Sequence, residues 1–211
     1  MPGVALDALD AFRRNLPQRT GPGGSGLWRR LVWGDTLELF VLDCRSERRD
    51  GDYVSREQMD WLKGALTAST ARFKLLLNSV PITDMDSVYL GVQAEDRWDG
   101  YPEQRREILE HVTERGVTGV LWVSGDFHWG AVTRVGDEPE DPGFDQVEVF
   151  AGPGGSSINP LAYLVGEDDR YPAVVTEHNV VLIDADPQAG TLWVRFVAAS
   201  GEILREATLR R

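Results

Sequence analysis

Asp126 and His128 are the two residues whose types and spacing point most directly to chemistry. They follow an apolar run at residues 120–123 and a Ser124-Gly125 break. A continuous apolar run bounded by small residues is typical of a strand buried on both faces of a parallel sheet. On an extended chain, side chains two residues apart point to the same side, so a carboxylate and an imidazole would face one crevice. Such a pair suits a divalent metal ion or proton transfer.

A structural interpretation of the same pair stays open, because two residues alone are a weak motif. In that interpretation Asp126 caps a turn and His128 makes one hydrogen bond in a partly buried position. The two other histidines have weaker contexts. His111 lies within a helical pattern and His178 directly precedes a strand pattern, so we interpret both as structural residues.

Polar residues follow other predicted strands and are expected at the same edge of the sheet. Asp43 and Arg45 follow the run at residues 37–42, and Asn78 follows the run at 73–77. Neighbouring parallel strands bring their carboxyl ends together, which is where open α/β sheets bind ligands. Asp and Asn oxygens with a His nitrogen suit a hard or borderline divalent ion that orients a phosphate and activates water. For Asn78 the alternative is turn formation at a strand end.

Arg45 and Arg48 are candidates for binding phosphate oxygens through bidentate hydrogen bonds. The alternative is a structural ion pair between Asp43 and Arg45 that ties the strand end to a helix. Residues 79–100 lack periodicity, and a segment of that length is usually functional or mobile. Its Trp98 and Asp99 either join the same edge or close the segment onto the domain. The segment also contains Asp84, Asp86 and Asp96.

Other nucleophilic chemistries find no support in the sequence. Cys44 has no histidine partner at a recognisable spacing, and Ser124 lacks the Gly-x-Ser-x-Gly context. The glycine-rich residues 151–157 (AGPGGSS) lack the Gly-Lys-Ser/Thr of a phosphate-binding loop, so we predict a tight turn passing near the site. Serine and cysteine hydrolase chemistry is therefore disfavoured.

Composition limits the class of protein further. The chain has 211 residues, of which 42% are hydrophobic and 27% charged, as in ordinary globular domains. Its net charge of −12 argues against a nucleic-acid partner or an anionic membrane surface. The single cysteine excludes an internal disulfide. We expect no membrane span, and the first residues lack the apolar core of a secretory signal, so localisation stays open.

Hydrophobic periodicity predicts the elements that must position these residues. Helices are predicted at residues 6–16, from Ser55 onward, where Gln58 would complete a capping box, and at 102–115. Strands alternating with helices up to residue 124 predict parallel βαβ units. Later strand-like runs separated by turns predict an antiparallel meander. The predicted strands are 27–33, 37–42, 73–77, 120–123, 147–150, 180–185, 191–198 and 203–209. We expect residues 1–26 to form an N-terminal helix and a flexible connector (20–26), and 27–211 to form the domain.

Several segments together resemble the C-terminal half of the PhoD-like (alkaline phosphatase D) family of metallophosphoesterases, in the calcineurin-like superfamily. The matching segments include ALDAFRRNLP, LELFVLDCRSERR, RFKLLLNSVPITD, DRWDGYPEQRREIL, VSGDFHWG and EVFAGPGGSSINPL. The resemblance implies an α/β fold that forms part of a calcineurin-like αββα sandwich, with a mixed sheet, flanking helices and C-terminal antiparallel strands. It also implies hydrolysis of phosphomonoesters or phosphodiesters.

The resemblance also implies particular site residues. Asp126 and His128 match the family's Gly-Asp-x-His, and Asn78 ends a strand that carries another ligand in the superfamily. The implied metal ligands are therefore Asp126, His128 and Asn78, and the implied catalytic residues are His128, Asp126 and Arg45. The implied ions are calcium and iron, with manganese or zinc as alternatives. Family members are typically exported.

One departure from the family pattern is important. The earlier metal motifs of the family, its first aspartate, its Gly-Asp-x-x-Asp and its Asp-Asp-His-Glu-like segment, are not found in this sequence. We therefore expect weak metal binding, poor hydrolysis, and an exposed sheet edge that pairs with a second copy or a separate N-terminal half. Two functions stay open: a metal-dependent phosphoric ester hydrolase acting on a phosphate ester, or an inactive truncated relative acting as a binding or assembly module.

Overall fold

The computed structural model of the chain describes residues 2–17, 21, 26–49, 51–85, 94–165 and 169–210, with the backbone alone for residues 2–7. The α-helices within these ranges are α1 (Pro2–Asn15), α2 (Arg56–Ala68) and α3 (Pro102–Glu114). The strands are β1 (Arg29–Trp33), β2 (Leu37–Val41), β3 (Phe73–Leu77), β4 (Val120–Ser124), β5 (Gly130–Arg134), β6 (Val147–Phe150), β7 (Ala173–Val175), β8 (Val180–Asp186), β9 (Thr191–Val197) and β10 (Ile203–Arg210). Short 3₁₀ helices cover Ala94–Asp96, Trp98–Gly100 and Pro160–Leu164.

The described strands form two sheets. The larger one has the order β1-β2-β3-β4-β6-β5-β7, and the smaller one has the order β10-β9-β8. Strands β2, β3, β4 and β6 run parallel, whereas β1 and β5 are antiparallel to their neighbours. The smaller sheet is antiparallel throughout. The parallel centre of the larger sheet therefore collects the residues that follow β2, β3, β4 and β6 at one edge.

Hydrophobic cores lie on both faces of the larger sheet. On one face, helices α2 and α3 cover the strands through Met59, Leu62, Leu66, Ile108, Leu109 and Val112. On the other face, the smaller sheet packs against β3, β4 and β6 through Leu192, Val194 and Phe196. The mixed α/β fold with flanking helices and C-terminal antiparallel strands confirms the predicted fold class. Among the described residues, no helix has both the length and the apolar character needed to cross a membrane.

Helix α2 begins as predicted, but half of its predicted capping box is absent. Ser55 Oγ accepts a hydrogen bond from Gln58 N at 3.1 Å, as an N-cap should. The Gln58 side chain does not return to Ser55. Its Oε1 accepts from Asp43 N at 2.8 Å, and its Nε2 donates to Asp43 O at 3.1 Å. Gln58 is buried, so it satisfies backbone groups at the end of β2 and fixes the start of the loop that carries Arg45.

The structure contains two strands that the sequence did not predict, β5 and β7. Gly130–Arg134 contains the polar Thr133, and Ala173–Val175 has only three residues, so neither segment gives a clear strand period. The predicted connector at 20–26 falls largely outside the described residues, as does Asp86. Helix α1 confirms the N-terminal helical prediction, and the predicted meander corresponds to β8, β9 and β10.

The outer face of the smaller sheet is open to solvent. We use this term for the side chains of Val180, Leu182, Trp193 and Ile203, which are 57%, 45%, 42% and 47% exposed. The alternate residues of the same strands point inward and belong to the core between the sheets. The described residues therefore form three layers, one of helices and two of strands.

Candidate active site

Residues that follow three parallel strands line one cavity of about 480 Å³ at the carboxyl edge of the larger sheet. Arg45 follows β2, Asp126 and His128 follow β4, and residues 157–160 follow β6. The remaining lining residues are Asp96, Arg97 and Phe127. The structure thus brings together Arg45, Asp126 and His128, three of the residues that the strand-end argument selected.

Asp126 and His128 lie in a turn and not on an extended strand. Their φ angles are 75° and 61°, in the left-handed region that residues other than glycine rarely adopt. Phe127 N donates to Gly125 O at 3.0 Å within the same turn. The condition of an extended chain is therefore not met, and both residues line the cavity from the turn.

Two aromatic side chains anchor this turn. Phe127 and Trp129 are 5% and 1% exposed and pack edge-on against Phe150, with ring centroids 5.8 Å and 5.2 Å away. Edge-to-face pairs of this kind contribute about 0.5–1.5 kcal/mol beyond the burial of their surface. Because these residues are held in the core, the residues between and before them, His128 and Asp126, are presented to the cavity.

The loop after β2 presents Arg45 to Asp126. Asp43 Oδ1 accepts hydrogen bonds from the backbone N–H groups of Arg45 and Ser46, at 3.2 Å and 2.9 Å, and Oδ2 accepts from the Ser46 hydroxyl. Arg45 Nη2 lies 3.3 Å from Asp126 Oδ1. The guanidinium therefore pairs across the cavity with Asp126, and Asp43 shapes the loop. Both partners are about half exposed, and such pairs contribute about 0–1 kcal/mol, so another ligand can replace either one.

Asn78 and Cys44 are buried side by side at the ends of β3 and β2. Cys44 Sγ donates to Asn78 Oδ1 at 3.0 Å, and Asn78 Nδ2 has no hydrogen-bond partner among the described residues. Turning the amide by 180° would let the nitrogen contact sulfur and would place the oxygen where the unpartnered atom lies. Asn78 is not among the residues that line the cavity with Asp126 and His128. Burial raises the pKa of the Cys44 thiol to about 12, which argues against a thiolate nucleophile.

Arg48 contacts a neighbouring loop. Its Nη2 lies 2.8 Å from Asp96 Oδ1, and its Nη1 donates to Glu95 O at 3.2 Å. Its charge is thus used to hold the 3₁₀ turn beside the cavity. Of the two arginines considered for phosphate binding, Arg45 is the one that lines the cavity.

Trp98 and Asp99 close their segment onto the domain, the second of the two roles considered for them. Trp98 is fully buried, with its ring centroid 4.5 Å from that of Tyr53. Asp99 accepts a hydrogen bond from Arg97 Nε at 2.9 Å. Burial raises the pKa of Asp99, and the bond from Arg97 opposes that rise.

The two other histidines make contacts that fit their structural interpretation. His178 Nε2 lies 2.9 Å from Ser156 O and so holds the glycine-rich segment after β6. His111 Nε2 lies 2.9 Å from Thr67 Oγ1 and 3.0 Å from Lys63 O, between helices α3 and α2.

The glycine-rich segment at residues 151–157 passes close to the site. A Cβ at Gly152 would lie 2.8 Å from Gly130 N and 2.3 Å from Asn179 Nδ2, so a larger residue there would displace backbone. Glycine is thus needed for the chain to pack against the start of β5. Ser157, at the end of this segment, lines the cavity.

The cavity also contains four residues that the sequence pattern did not indicate: Arg97, Ile158, Asn159 and Pro160. Asn159 N donates to His128 O at 3.1 Å, and Asn159 Oδ1 accepts from Leu161 N at 3.0 Å to cap the next short helix. For residues 158–160, the available signal was their position after a predicted strand, β6. Treating β6 as parallel to β4 would have placed the segment at the cavity.

Asp126 and His128 are cavity residues of the types that bind metal ions. No group of three His, Cys, Asp or Glu side chains within the described ranges is arranged to hold an ion. Asp126 and His128 supply one carboxylate and one imidazole, whereas a catalytic zinc site commonly has three protein ligands. The charged groups lining the cavity are Arg45 and Arg97 against Asp96 and Asp126. These charges cancel, so the lining itself has no excess positive charge to attract a phosphate.

A two-sheet α/β fold whose parallel strand ends present a guanidinium, a carboxylate and an imidazole to one cavity suits a phosphate-binding hydrolase. The chain belongs to the PhoD-like phosphatase family, whose family model matches residues 4–189. Over 145 residues it is 26% identical to alkaline phosphatase D of Bacillus subtilis (strain 168), covering 57% of this chain and 25% of that protein.

A solved structure described as "Structure of PhoD" has the same fold. Its TM-score with this chain is 0.73 at 20% sequence identity, and the match covers 98% of this chain and 46% of that one. The chain therefore spans less than half the length of both relatives.

Proposed function

We propose that this chain carries part of the active site of a metal-dependent phosphoric ester hydrolase that acts on phosphomonoesters or phosphodiesters. The observation that supports this proposal is the convergence of Arg45, Asp126 and His128 on one cavity. Membership of the PhoD-like phosphatase family supports the reaction class, and the shared cavity supports the choice of these three residues.

Asp126 and His128 are the proposed metal ligands, with Asn78 as a weaker third. A bound divalent ion would polarise a phosphoryl oxygen and make a water molecule more acidic. It would also add the positive charge that the balanced lining of the cavity lacks. We propose calcium or iron, with manganese or zinc as alternatives, because a carboxylate, an amide and an imidazole together suit hard and borderline ions.

Arg45 is proposed to bind the non-bridging oxygens of the phosphate. In hydrolysis, water attacks phosphorus, the bond from phosphorus to the leaving oxygen breaks, and that oxygen takes up a proton. The N–H groups of Arg45 stabilise the negative charge on the phosphoryl oxygens, and its half-exposed position leaves it accessible to substrate. Asp43 acts through the loop by fixing the backbone of Arg45.

We propose that the remaining metal ligands come from elsewhere in the protein, from a second copy or from a separate N-terminal half. The exposed outer face of the smaller sheet supports an additional covering layer or partner. Asp126 and His128 alone would also fall short of a complete coordination sphere.

The test compares wild-type protein with His128→Ala and His111→Ala. We expect His128→Ala to lower bound metal, measured by elemental mass spectrometry, and to lower hydrolysis of p-nitrophenyl phosphate or its diester at least about tenfold. His111→Ala should change neither, since His111 lies between helices α3 and α2 and does not line the cavity. Unchanged metal content in His128→Ala would remove His128 from the proposed site.

A second candidate function is a binding or assembly module without catalysis. It is favoured by the lack of any three-residue His, Cys, Asp or Glu metal cluster within the described ranges. Under this alternative, the purified chain would hold no metal and would fail to hydrolyse either ester with calcium, manganese or iron added. Metal-stimulated hydrolysis that is lost in Asp126→Ala would exclude it.

A further inference from the structure

The cavity has an apolar side in addition to its charged side. Ile158 and Pro160, which follow β6, line it together with the ring of Phe127. Immediately beyond them, the short helix Pro160–Leu164 exposes two large side chains, Tyr163 at 70% and Leu164 at 74%. We call Ile158, Pro160, Tyr163 and Leu164 the apolar wall. Ile158 and Pro160 line the cavity, and Tyr163 and Leu164 are exposed in the short helix that follows them.

The apolar wall is held rigidly to the site turn. Asn159, between its first two members, donates its backbone N–H to His128 O at 3.1 Å. The next turn is fixed by Ala162 and Val165, which are buried in the same core cluster as the site aromatics Phe127 and Trp129. The wall therefore keeps a defined position beside Asp126 and His128, as preorganised binding requires.

We infer that the apolar wall receives the leaving group of the substrate, so that the site favours phosphoric esters of alkyl or aryl alcohols over esters of sugars and other polar alcohols. This inference rests on the proposed function and specifies its substrate class. A phosphate bound by Arg45 would carry its ester group away from the charged side of the cavity. An apolar group gains by leaving water at Ile158 and Pro160, and a hydroxyl-bearing group would not have that gain against these two side chains.

The experiment measures binding of a series of alkylphosphonates that do not hydrolyse. Methyl-, butyl- and hexylphosphonate are titrated into the protein in the presence of manganese, with inorganic phosphate as the reference, by isothermal calorimetry. Affinity should rise about twofold per methylene, since full burial of a methylene gives about fourfold and the wall covers one side of the chain. The rise between methyl and hexyl should therefore be about thirtyfold.

Matched variants connect the effect to the wall. Ile158→Val and Ile158→Thr have nearly the same volume and differ in one hydroxyl group. We expect Ile158→Val to keep most of the affinity ratio between hexyl- and methylphosphonate. In Ile158→Thr that ratio should fall to half or less. Thr113→Val makes the reverse threonine-to-valine exchange at an exposed position of α3 that does not line the cavity, and it should leave the series unchanged. Thermal unfolding of all three variants checks that they are folded.

Each result separates the inference from the proposed function. Phosphate binding with equal affinity for all three phosphonates would overturn the inference and leave the proposed phosphate site intact. Failure of phosphate and every phosphonate to bind would overturn the proposed site itself. A chain-length dependence that Ile158→Thr leaves unchanged would show that the alkyl group lies elsewhere and would also overturn the inference.

Discussion

Cys44 shows how position alone controls the reactivity of a side chain. It directly precedes the candidate phosphate-binding residue Arg45, yet it is fully buried and donates its S–H to Asn78. Burial raises the pKa of this thiol to about 12, so the thiol stays protonated in the physiological pH range. The sequence argued against cysteine chemistry from spacing alone, and burial supplies the physical reason.

We predict that the wild-type protein loses stability at alkaline pH because of Cys44, and that Cys44→Ser does not show this loss. The pKa of the thiol is higher in the folded than in the unfolded protein. Its contribution to stability is therefore fully present below the unfolded pKa, about 8.5 for cysteine. That stabilisation decreases as pH rises toward the folded value of about 12, by up to about 1.4 kcal/mol per pH unit. Serine keeps a donor for Asn78 and does not ionise there.

The measurement is the free energy of unfolding in urea between pH 8 and pH 11 for both proteins. The wild-type curve should fall relative to the Cys44→Ser curve as pH increases. Two parallel curves would show that the Cys44 thiolate is not disfavoured by folding.

The turn between β4 and β5 does not have the extended conformation that its sequence pattern indicates. Aromatic residues at 127 and 129 alternate with polar residues at 126 and 128, which is the period of a strand. The chain must instead reverse here, because β5 runs antiparallel to β6 while β4 runs parallel to it. Two residues in the left-handed region make that reversal, and alternating burial persists through it.

We predict that His128→Gly is more stable than His128→Ala by about 1 kcal/mol, since glycine adopts a positive φ without the steric cost that alanine pays. Both variants lack the imidazole, so the comparison isolates the backbone. Urea unfolding measures the difference. At exposed Glu110 in α3 the order should be reversed, with Glu110→Gly less stable than Glu110→Ala, because glycine destabilises a helix interior. Equal stability of the two His128 variants would contradict a strained turn.

The parallel strands were predictable because their burial on both faces leaves continuous apolar runs. Arg45, Asp126 and His128 were predictable as neighbours for the same reason, since the strand-end rule needs only parallel neighbouring strands. Placing Ile158 and Asn159 at the cavity required a further step, because β6 lies next to β4 although β5 comes between them in the chain. Local periodicity carries no information about which strands become neighbours.

At the scale of the whole molecule, the two sheets are covered unequally. The larger sheet has helices on one face and the smaller sheet on the other. The smaller sheet has its outer face in solvent, where Val180 and Ile203 both lie opposite Val197 in the strand register. These side chains form a contiguous apolar patch, which in proteins commonly marks an interface.

We predict that the chain associates with itself through this patch, because pairing two copies removes the exposed apolar surface from water. The average mass in sedimentation velocity should increase with protein concentration. The double variant Val180→Thr/Ile203→Thr, which keeps β-branched residues on both strands, should stay smaller at each concentration. Leu164→Thr, exposed on a different surface, serves as the control. A wild-type chain that is monomeric at every concentration would contradict this prediction.

The ion pair between Arg45 and Asp126 has a consequence for how the proposed site would fill. Each side chain is the counterion of the other at 3.3 Å, and each is also the proposed contact for a different ligand. A cation taken up by Asp126 frees the guanidinium, and an anion taken up by Arg45 frees the carboxylate. The ligand that binds first therefore breaks the ion pair that opposes binding of the second. Metal and phosphate would bind with positive cooperativity, and thermodynamic linkage makes that effect equal in both directions.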